Sequence, residues 1–350
     1  MTYDWGFKTM REHFLEVDKR HFSAVIRQTK DMLERGQYPD SFNMPLFLQY
    51  DLTYRCNLKC LHCFNQSGEK LEPEMTVEEW LRLSREVIAK GGIFNLVLSG
   101  GEALLLGDDL FKIIDLFALD NTPITLITNG YLVDERWATK LAAYDSLQIR
   151  LSIDGSESTL HDGLRGVPGS FDRAVKAARH FSRVGIPFHI SSCVTPASLE
   201  KMDKLVELAT ELKAEFLALD LVLSSGRATD NPQILLNPEQ VNVMLKNIYE
   251  IRQKYKLPVM YSTGYSMAQY HLAGFPNRVV VVKASGDVRL SCMAPFIIGN
   301  VREETLEEIW LKKGVTAWQH PDVVRYLENT DLVTAKNNYL INYNGKEFKI

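Results

Sequence analysis

Three cysteines fall within eight positions of the stretch "DLTYRCNLKCLHCFNQ", Asp51 to Gln66, spaced C-x3-C-x2-C at Cys56, Cys60 and Cys63. Thiolates select zinc, copper(I) or iron–sulfur clusters. A structural zinc site takes four protein ligands in a closed tetrahedron, and a cubane iron–sulfur cluster ordinarily takes four cysteines. The remaining two of the chain's five cysteines, Cys193 and Cys292, are distant in sequence. A local set of three therefore points to an open coordination position, the arrangement a metal needs to bind a small molecule. An odd cysteine count with no export signal favours reduced thiols over a disulfide framework.

The elements that must position these thiols can be read from periodicity. Short apolar runs occur at 46–53, 94–99, 123–128, 147–153, 187–194 and 215–223, with helix-period segments between them. Thr76-Val77-Glu78-Glu79 is a capping box opening a helix whose stripe is Val77, Trp80, Ser84, Val87 and Ile88. Phe171, Ala174, Val175, Ala178 and Phe181 form a second stripe, and Leu205, Leu208, Ala209 and Leu212 a third. Strand and helix alternating six times predict parallel strands joined by crossover helices.

Strand faces separate a barrel from an open doubly wound sheet. Leu147, Ile149, Leu151 and Ile153 share one face, and Gln148, Arg150, Ser152 and Asp154 the other. Phe188, Ile190 and Val194 likewise oppose His189, Ser191, Cys193 and Thr195, while Gln49, Asp51 and Thr53 fall together. A doubly wound sheet buries both faces and reads as continuous apolar runs. One polar face per strand instead predicts an incomplete six-stranded α/β barrel with a wet, ligand-sized interior. The cysteines follow the first strand, at the C-terminal end where barrel enzymes keep their chemistry.

After Ser224 the pattern changes. A long helix is expected at "NPEQVNVMLKNIYEIRQKY", a hairpin about Ser285-Gly286-Asp287, a short helix at "TLEEIW" and a last hairpin at Asn344-Gly345. The expected organisation is a helical segment over 1–45, a barrel over 46–225 and a small α+β extension over 226–350. Composition is that of a globular enzyme: 350 residues, 45% apolar, 24% charged, net charge −4. No run of five or six like charges occurs, so no nucleic-acid or anionic-membrane partner is expected. No apolar run approaches the ~20 residues that cross a bilayer, and the N-terminus lacks signal-peptide features, so a cytoplasmic protein is expected.

With these motifs in order, the sequence resembles the radical S-adenosylmethionine (SAM) superfamily, whose mark is a C-x3-C-x2-C loop after the first strand of a partial (β/α)6 TIM-like barrel. The resemblance covers roughly 46–228. It implies one [4Fe-4S] cluster on Cys56, Cys60 and Cys63, with SAM chelating the fourth iron. It implies reductive cleavage of SAM to a 5′-deoxyadenosyl radical that abstracts a substrate hydrogen. In "LVLSGGEALLL", Gly100, Gly101 and Glu102 resemble the motif that accepts a hydrogen bond from the SAM amino group. Glycine admits close backbone approach, and a carboxylate suits an ammonium donor. Thr128 and Asn129 of "LITNGYL" are implied beside the methionine moiety. Ser152, Asp154 and Arg165 of "LSIDGSESTLHDGLRG" are implied around SAM, the serine and arginine at its carboxylate. His62 is implied near adenine, and the "SSGRA" turn at Ser224 to Ala228 near adenosine.

The stretch from His271 to Trp310 resembles the start of the SPASM or twitch extension, which houses auxiliary clusters in related proteins. Here His271 stands where the first cysteine belongs, Cys292 keeps the second, and no cysteine follows. A scaffold without auxiliary clusters is expected, serving as lid or substrate wall. Cys193 and Cys292 are candidate hydrogen-atom donors to a substrate radical. The substrate is expected to be a ribosomally made peptide, undergoing epimerisation or cross-linking, or a small molecule such as a sugar, nucleoside or aminoglycoside. A third reading is a non-catalytic, zinc-stabilised binding protein. The catalytic readings require a reducing partner such as flavodoxin or ferredoxin.

Overall fold

Six β/α units follow one another as the alternation requires. The computed structural model describes residues 35, 43–69, 73–224, 226–262, 279–291, 294–329 and 347–350. In order come β1 (Phe47–Asp51), α1 (Val77–Ala89), β2 (Asn95–Ser99), α2 (Asp109–Leu119), β3 (Ile124–Thr128) and α3 (Glu135–Ala142). Then follow β4 (Leu147–Ser152), α4 (Ser158–Arg165), α5 (Ser170–Val184), β5 (Phe188–Val194), α6 (Met202–Glu211) and β6 (Leu217–Leu221). Each strand pairs in parallel with the next, as crossover helices demand.

The helices begin where their side chains can cap them. In α1, Thr76 accepts from the Glu79 N–H while Glu79 accepts from that of Thr76. The buried stripe of this helix also takes in Leu81 and Leu83, so it is wider than the sequence pattern implied. The apolar face of β4, Leu147, Ile149 and Leu151, is buried under the helices, while Gln148, Arg150 and Ser152 are half-buried on the inner face. On β5 the inner face is less wet than expected. His189 stacks on Phe216 with centroids 4.2 Å apart, and Ser191 is tied to Arg150 and Asp220, so both are buried.

The sheet does not stop at the sixth strand. Following α7 (Pro238–Lys254), β7 (Val259–Ser262) adds in parallel to β6. β8 (Val279–Val282) adds in parallel to the other edge, on β1, and continues antiparallel through β9 (Asp287–Arg289) to β10 (Phe296–Asn300). With β11 (Phe348–Lys349) at one edge, the order is β11-β10-β9-β8-β1-β2-β3-β4-β5-β6-β7, so the described strands form an open partial barrel with distinct edges. The sheet thus runs across the boundary expected at 226. α8 (Leu306–Ile309) and α9 (Pro321–Asn329) pack beside the extension, and β11 (Phe348–Lys349) pairs in parallel with β10. The hairpin expected at Asn344-Gly345 lies outside the described residues, as does the segment 1–45 apart from Arg35 and 43–45. No described helix is long and apolar enough to cross a membrane.

Candidate metal centre

The loop carrying the three cysteines is gripped through its backbone from three sides. From the end of β2, the Gly101 N–H donates to the Thr53 carbonyl at 2.6 Å and the Glu102 N–H to that of Arg55 at 2.9 Å. From α4, the Arg165 and Leu164 carbonyls accept the N–H groups of Lys59 and Leu61, at 3.1 and 2.9 Å. Beyond β6, the Arg227 guanidinium donates to the Cys60 and Ser67 carbonyls, each at 2.7 Å, and its own N–H donates to that of Cys63. A Cβ on Gly101 would lie 2.1 Å from the Arg55 oxygen, one on Gly226 2.4 Å from that of Cys63, and one on Gly166 2.5 Å from that of Lys59. Glycine at these points lets the three elements touch the loop.

The sulfurs themselves are left uncapped. Cys56, Cys60 and Cys63 are free thiols, Cys60 buried and the others half-buried. Burial pushes the Cys56 thiol up to about 12, with Glu102, Cys60 and Cys63 adding to the rise. Burial raises Cys60 as well, opposed by the Arg165 charge. A metal must therefore expel these protons as it binds. Hydrogen-bond donors already aim at two sulfurs: Leu58 N–H and Asn129 Nδ2 at Cys56, 3.5 and 3.9 Å away, and Arg165 Nη1 at Cys60, 3.7 Å away. Asn57 Nδ2, His62 Nδ1 and Ser67 Oγ are shut off from solvent without a hydrogen-bond partner. Buried polar atoms are normally satisfied, so three orphans on one loop mark space for a missing polar group. Soft donors, a clamped backbone and orphaned neighbours fit an iron–sulfur cluster with one open iron.

The other expected residues surround this loop. Glu102 is fully buried and accepts from Thr128 Oγ1 (2.8 Å), the Leu104 N–H (3.2 Å) and the Asn129 N–H (2.9 Å). A carboxylate has roughly four acceptor sites, so one remains for an ammonium donor. Burial raises its pKa against the pull of these donors. Thr128 and Asn129 thus act first on Glu102, and Asn129 also reaches Asn57. Gly100 has φ 138°, where a Cβ would meet the Thr53 oxygen at 2.8 Å. Ser152 ends β4 alongside Ser191.

Arg165, implied at a SAM carboxylate, is engaged with protein: Nε binds Asp154 Oδ2 at 2.5 Å while Nη1 faces Cys60. Asp154 also accepts the Cys193 N–H at 2.8 Å and donates its own N–H to His161 Nδ1 at 3.0 Å. Burial would raise Asp154, but the Arg165 charge, helped by His62 and His161, outweighs it and holds the acid at about 2. Donor atoms of His62, Asp154 and Cys193 lie within 4.8 Å of one another. Burial lowers His62 to about 4, keeping the imidazole neutral. Cys193 is raised well above its usual value by burial, reinforced by Asp154 and Asp220, and stays a thiol.

The radical SAM superfamily profile matches residues 50–209, enclosing the cysteine loop and the residues just described other than Asp220, Gly226 and Arg227. The chain carries a radical SAM domain. A SPASM profile, described as an iron–sulfur cluster-binding domain, matches residues 274–331, within which the sequence has one cysteine, Cys292. The "AdoMet-dependent heme synthase" of Methanosarcina barkeri is 28% identical over 77% of this chain and 82% of its own length. The "Mycofactocin maturase MftC" of Mycobacterium tuberculosis is 30% identical over 55% of this chain, which spans about half (49%) of that relative. SuiB of Streptococcus suis, solved bound to its precursor peptide SuiA, superposes with a TM-score of 0.66 at 17% identity, over 97% of this chain and 91% of that one. The radical SAM domain implies a [4Fe-4S] cluster and SAM as cofactors, in agreement with the donor set above.

Within this radical SAM domain, the structure brings together the site residues expected from sequence except Ser152, which is placed only by its pairing with Ser191 at the end of β4. Cys292 and His271 lie outside the described residues. Three features were missed. Arg227 braces the cysteine loop; its turn had been expected at adenosine. His161, within "STLHDGLR", holds the Asp154 backbone. Asp220 binds Arg150 Nη2 at 2.8 Å, with Ser191 bridging the pair. The two-residue period of "LALDL" places Asp220 opposite the leucines and would have revealed it.

Proposed function

We propose that this chain is a radical SAM maturase that takes a hydrogen atom from a ribosomally made peptide, leading to epimerisation or cross-linking. The observation that carries the reading is the loop of three free thiols, immobilised through its backbone while its sulfurs stay uncapped. With a [4Fe-4S] cluster on Cys56, Cys60 and Cys63 and SAM at the open iron, the site gains a carbon radical able to abstract hydrogen. This chain's residues do the rest. Glu102 keeps one lone pair for the SAM amino group, and Gly100 and Gly101 let its strand end seat directly against the cysteine loop. Ser152 presents a hydroxyl from the wall, and neutral His62 packs at its rim. Cys193, held as a thiol, carries a hydrogen atom for a substrate radical.

For the substrate, the half-exposed pair Arg150 and Asp220 offers both a donor and an acceptor, which suits an amide. The maturase relative and the peptide complex of SuiB support the same class. The heme synthase relative, matched over more of this chain, favours the second reading, a small molecule. Reduced thiols of this kind fit the cytoplasm and require a reducing partner such as flavodoxin or ferredoxin.

Anaerobically reconstituted protein given SAM and dithionite should release 5′-deoxyadenosine, and Cys60→Ala should release none; release by that variant would refute the cluster assignment. Turnover of a short precursor peptide in deuterated water should place deuterium at the product carbon if Cys193 or another exchangeable thiol quenches the radical. Turnover of small molecules only would decide for the second reading.

A further inference from the structure

We propose that Arg165 sets the reduction potential of the cluster from the Cys60 side, and that Asp154 is the residue that positions it. The inference rests on the cluster reading above and concerns how this chain tunes it.

The geometry is asymmetric around the three sulfurs. Cys56 is met by neutral donors, the Leu58 N–H and the Asn129 amide, whereas Cys60 is met by a guanidinium. The Cys63 sulfur receives no hydrogen bond among the described residues. Arg165 is the last residue of α4, its side chain 11% exposed, and Asp154 beside it is fully covered at 0%. Two atoms of the guanidinium are committed: Nε to Asp154 Oδ2 and Nη1 to Cys60 Sγ at 3.7 Å. Asp154 cannot swing away, because its Oδ1 takes the Cys193 N–H and its own N–H is spent on His161 Nδ1. His161 is itself fully buried and packs against Phe171. The chain His161, Asp154, Arg165, Cys60 therefore runs from the barrel wall to one thiolate without a mobile link.

A cation beside a cluster sulfur stabilises the added electron, and hydrogen bonds to the sulfurs and local charge are among the main determinants of cluster potential. Burial strengthens that influence, since little solvent screens it. Asp154 plays a double part. It aims the guanidinium, and its own negative charge opposes the effect. In Asp154→Asn the amide oxygen can still accept from Arg165 Nε, so the aim is kept while the negative charge is lost, and removing the two charges must shift the potential in opposite directions, which a purely structural ion pair would not do.

The test is an anaerobic potentiometric titration of the reconstituted cluster, followed by electron paramagnetic resonance without substrate, with iron and sulfide counted on each sample. Arg165→Gln should move the midpoint negative, lowering the reduced fraction at fixed potential about tenfold, or about 59 mV for a one-electron couple. Asp154→Asn should move it positive, and Arg165→Lys, which keeps the charge, should stay nearer the wild type than the glutamine variant. If the glutamine and asparagine variants shift in the same direction, or neither shifts at full iron loading, the proposal is overturned. Should Arg165→Gln fail to load iron, Asp154→Asn decides the matter: a positive shift supports the proposal, and a negative or absent shift at full iron loading overturns it. A wild-type protein that loads no cluster overturns the reading beneath the proposal, and the proposal with it.

Discussion

The loop bearing Cys56, Cys60 and Cys63 is clamped by its backbone, through glycine contacts and the Arg227 guanidinium, with its sulfurs left open, whereas the β8–β9–β10 extension, joined to β1 by its ladder, also has its charged side chains paired. In the extension, Lys283 donates to both oxygens of Glu347 at 2.6 and 2.7 Å, and Arg289 pairs with the same carboxylate. Val280, Val282, Val288 and Trp310 are buried beneath. Its charges are already matched. In the loop, by contrast, the thiols and three orphaned polar atoms remain uncommitted. Backbone clamping fixes position while leaving side chains to a guest, and that is how a receptor differs from a scaffold wall.

The sharpest way to break this comparison is to add one methyl group to each region. Gly101→Ala sets a Cβ against a backbone carbonyl at 2.1 Å, with nothing flexible to yield. Overpacking of this kind costs about 1–3 kcal/mol or more, and here the upper end is expected, with loss of iron loading. Gly299→Ala in the extension meets Cγ1 and Cγ2 of the buried Ile309 at 2.8 and 2.9 Å, a side chain rather than a backbone obstacle. It should cost about 1–3 kcal/mol and leave iron content unchanged. Urea unfolding of the apoproteins and iron assays of the reconstituted ones read both effects. Equal iron loss in the two would erase the distinction.

Acid gives the next largest difference. Asp154 sits at about 2 in the folded chain, below its ordinary 3.8, chiefly because the Arg165 charge overcomes burial. A depressed carboxylate contributes stability that is whole above its unfolded value and lost as pH falls through the folded one. Unfolding midpoints measured between pH 5 and about 2 should therefore fall more steeply for the wild type than for Asp154→Asn. Parallel curves would remove the buried pair from the account.

Local patterns made much of this legible in the sequence. The six strands, their polar inner faces, the capping box at Thr76 and the thiol spacing are features of short range, each set by neighbours a few residues apart. What remained hidden depends on contacts between parts of the barrel far apart in sequence. Arg227 reaches Cys60 across 167 residues and Arg165 reaches it across 105. Neither contact leaves a periodic trace, so Arg165 could be placed only by family likeness, which set it at the cosubstrate. β8 was read correctly as half of a hairpin, yet its parallel pairing with β1 follows from the sheet edge left free by an incomplete barrel.

The smallest effect tests the seam between the two regions. Arg302, just beyond β10, donates to both oxygens of Glu79 at 2.7 and 3.1 Å and to the Pro73 and Glu74 carbonyls, fastening the extension to the start of α1. Hydrogen bonding from Arg302, aided by Thr76, lowers Glu79 from 4.5 to about 2. Its contribution is therefore present above about pH 4.5 and disappears as the pH falls through about 2. Both side chains are about a quarter exposed, at 23% and 24%, so screening keeps the pair below about 1 kcal/mol. Glu79→Gln removes the charge while a glutamine can still serve the capping box. The variant should lose that small increment at pH 7, show no loss near pH 2, and match the wild type more closely in 1 M salt. Asp154 and Arg165 are buried, so the cost of Asp154→Asn should persist in the same salt. If salt weakened both pairs alike, the cysteine site would be as open to solvent as the seam, and its claim to be a closed receptor would fail.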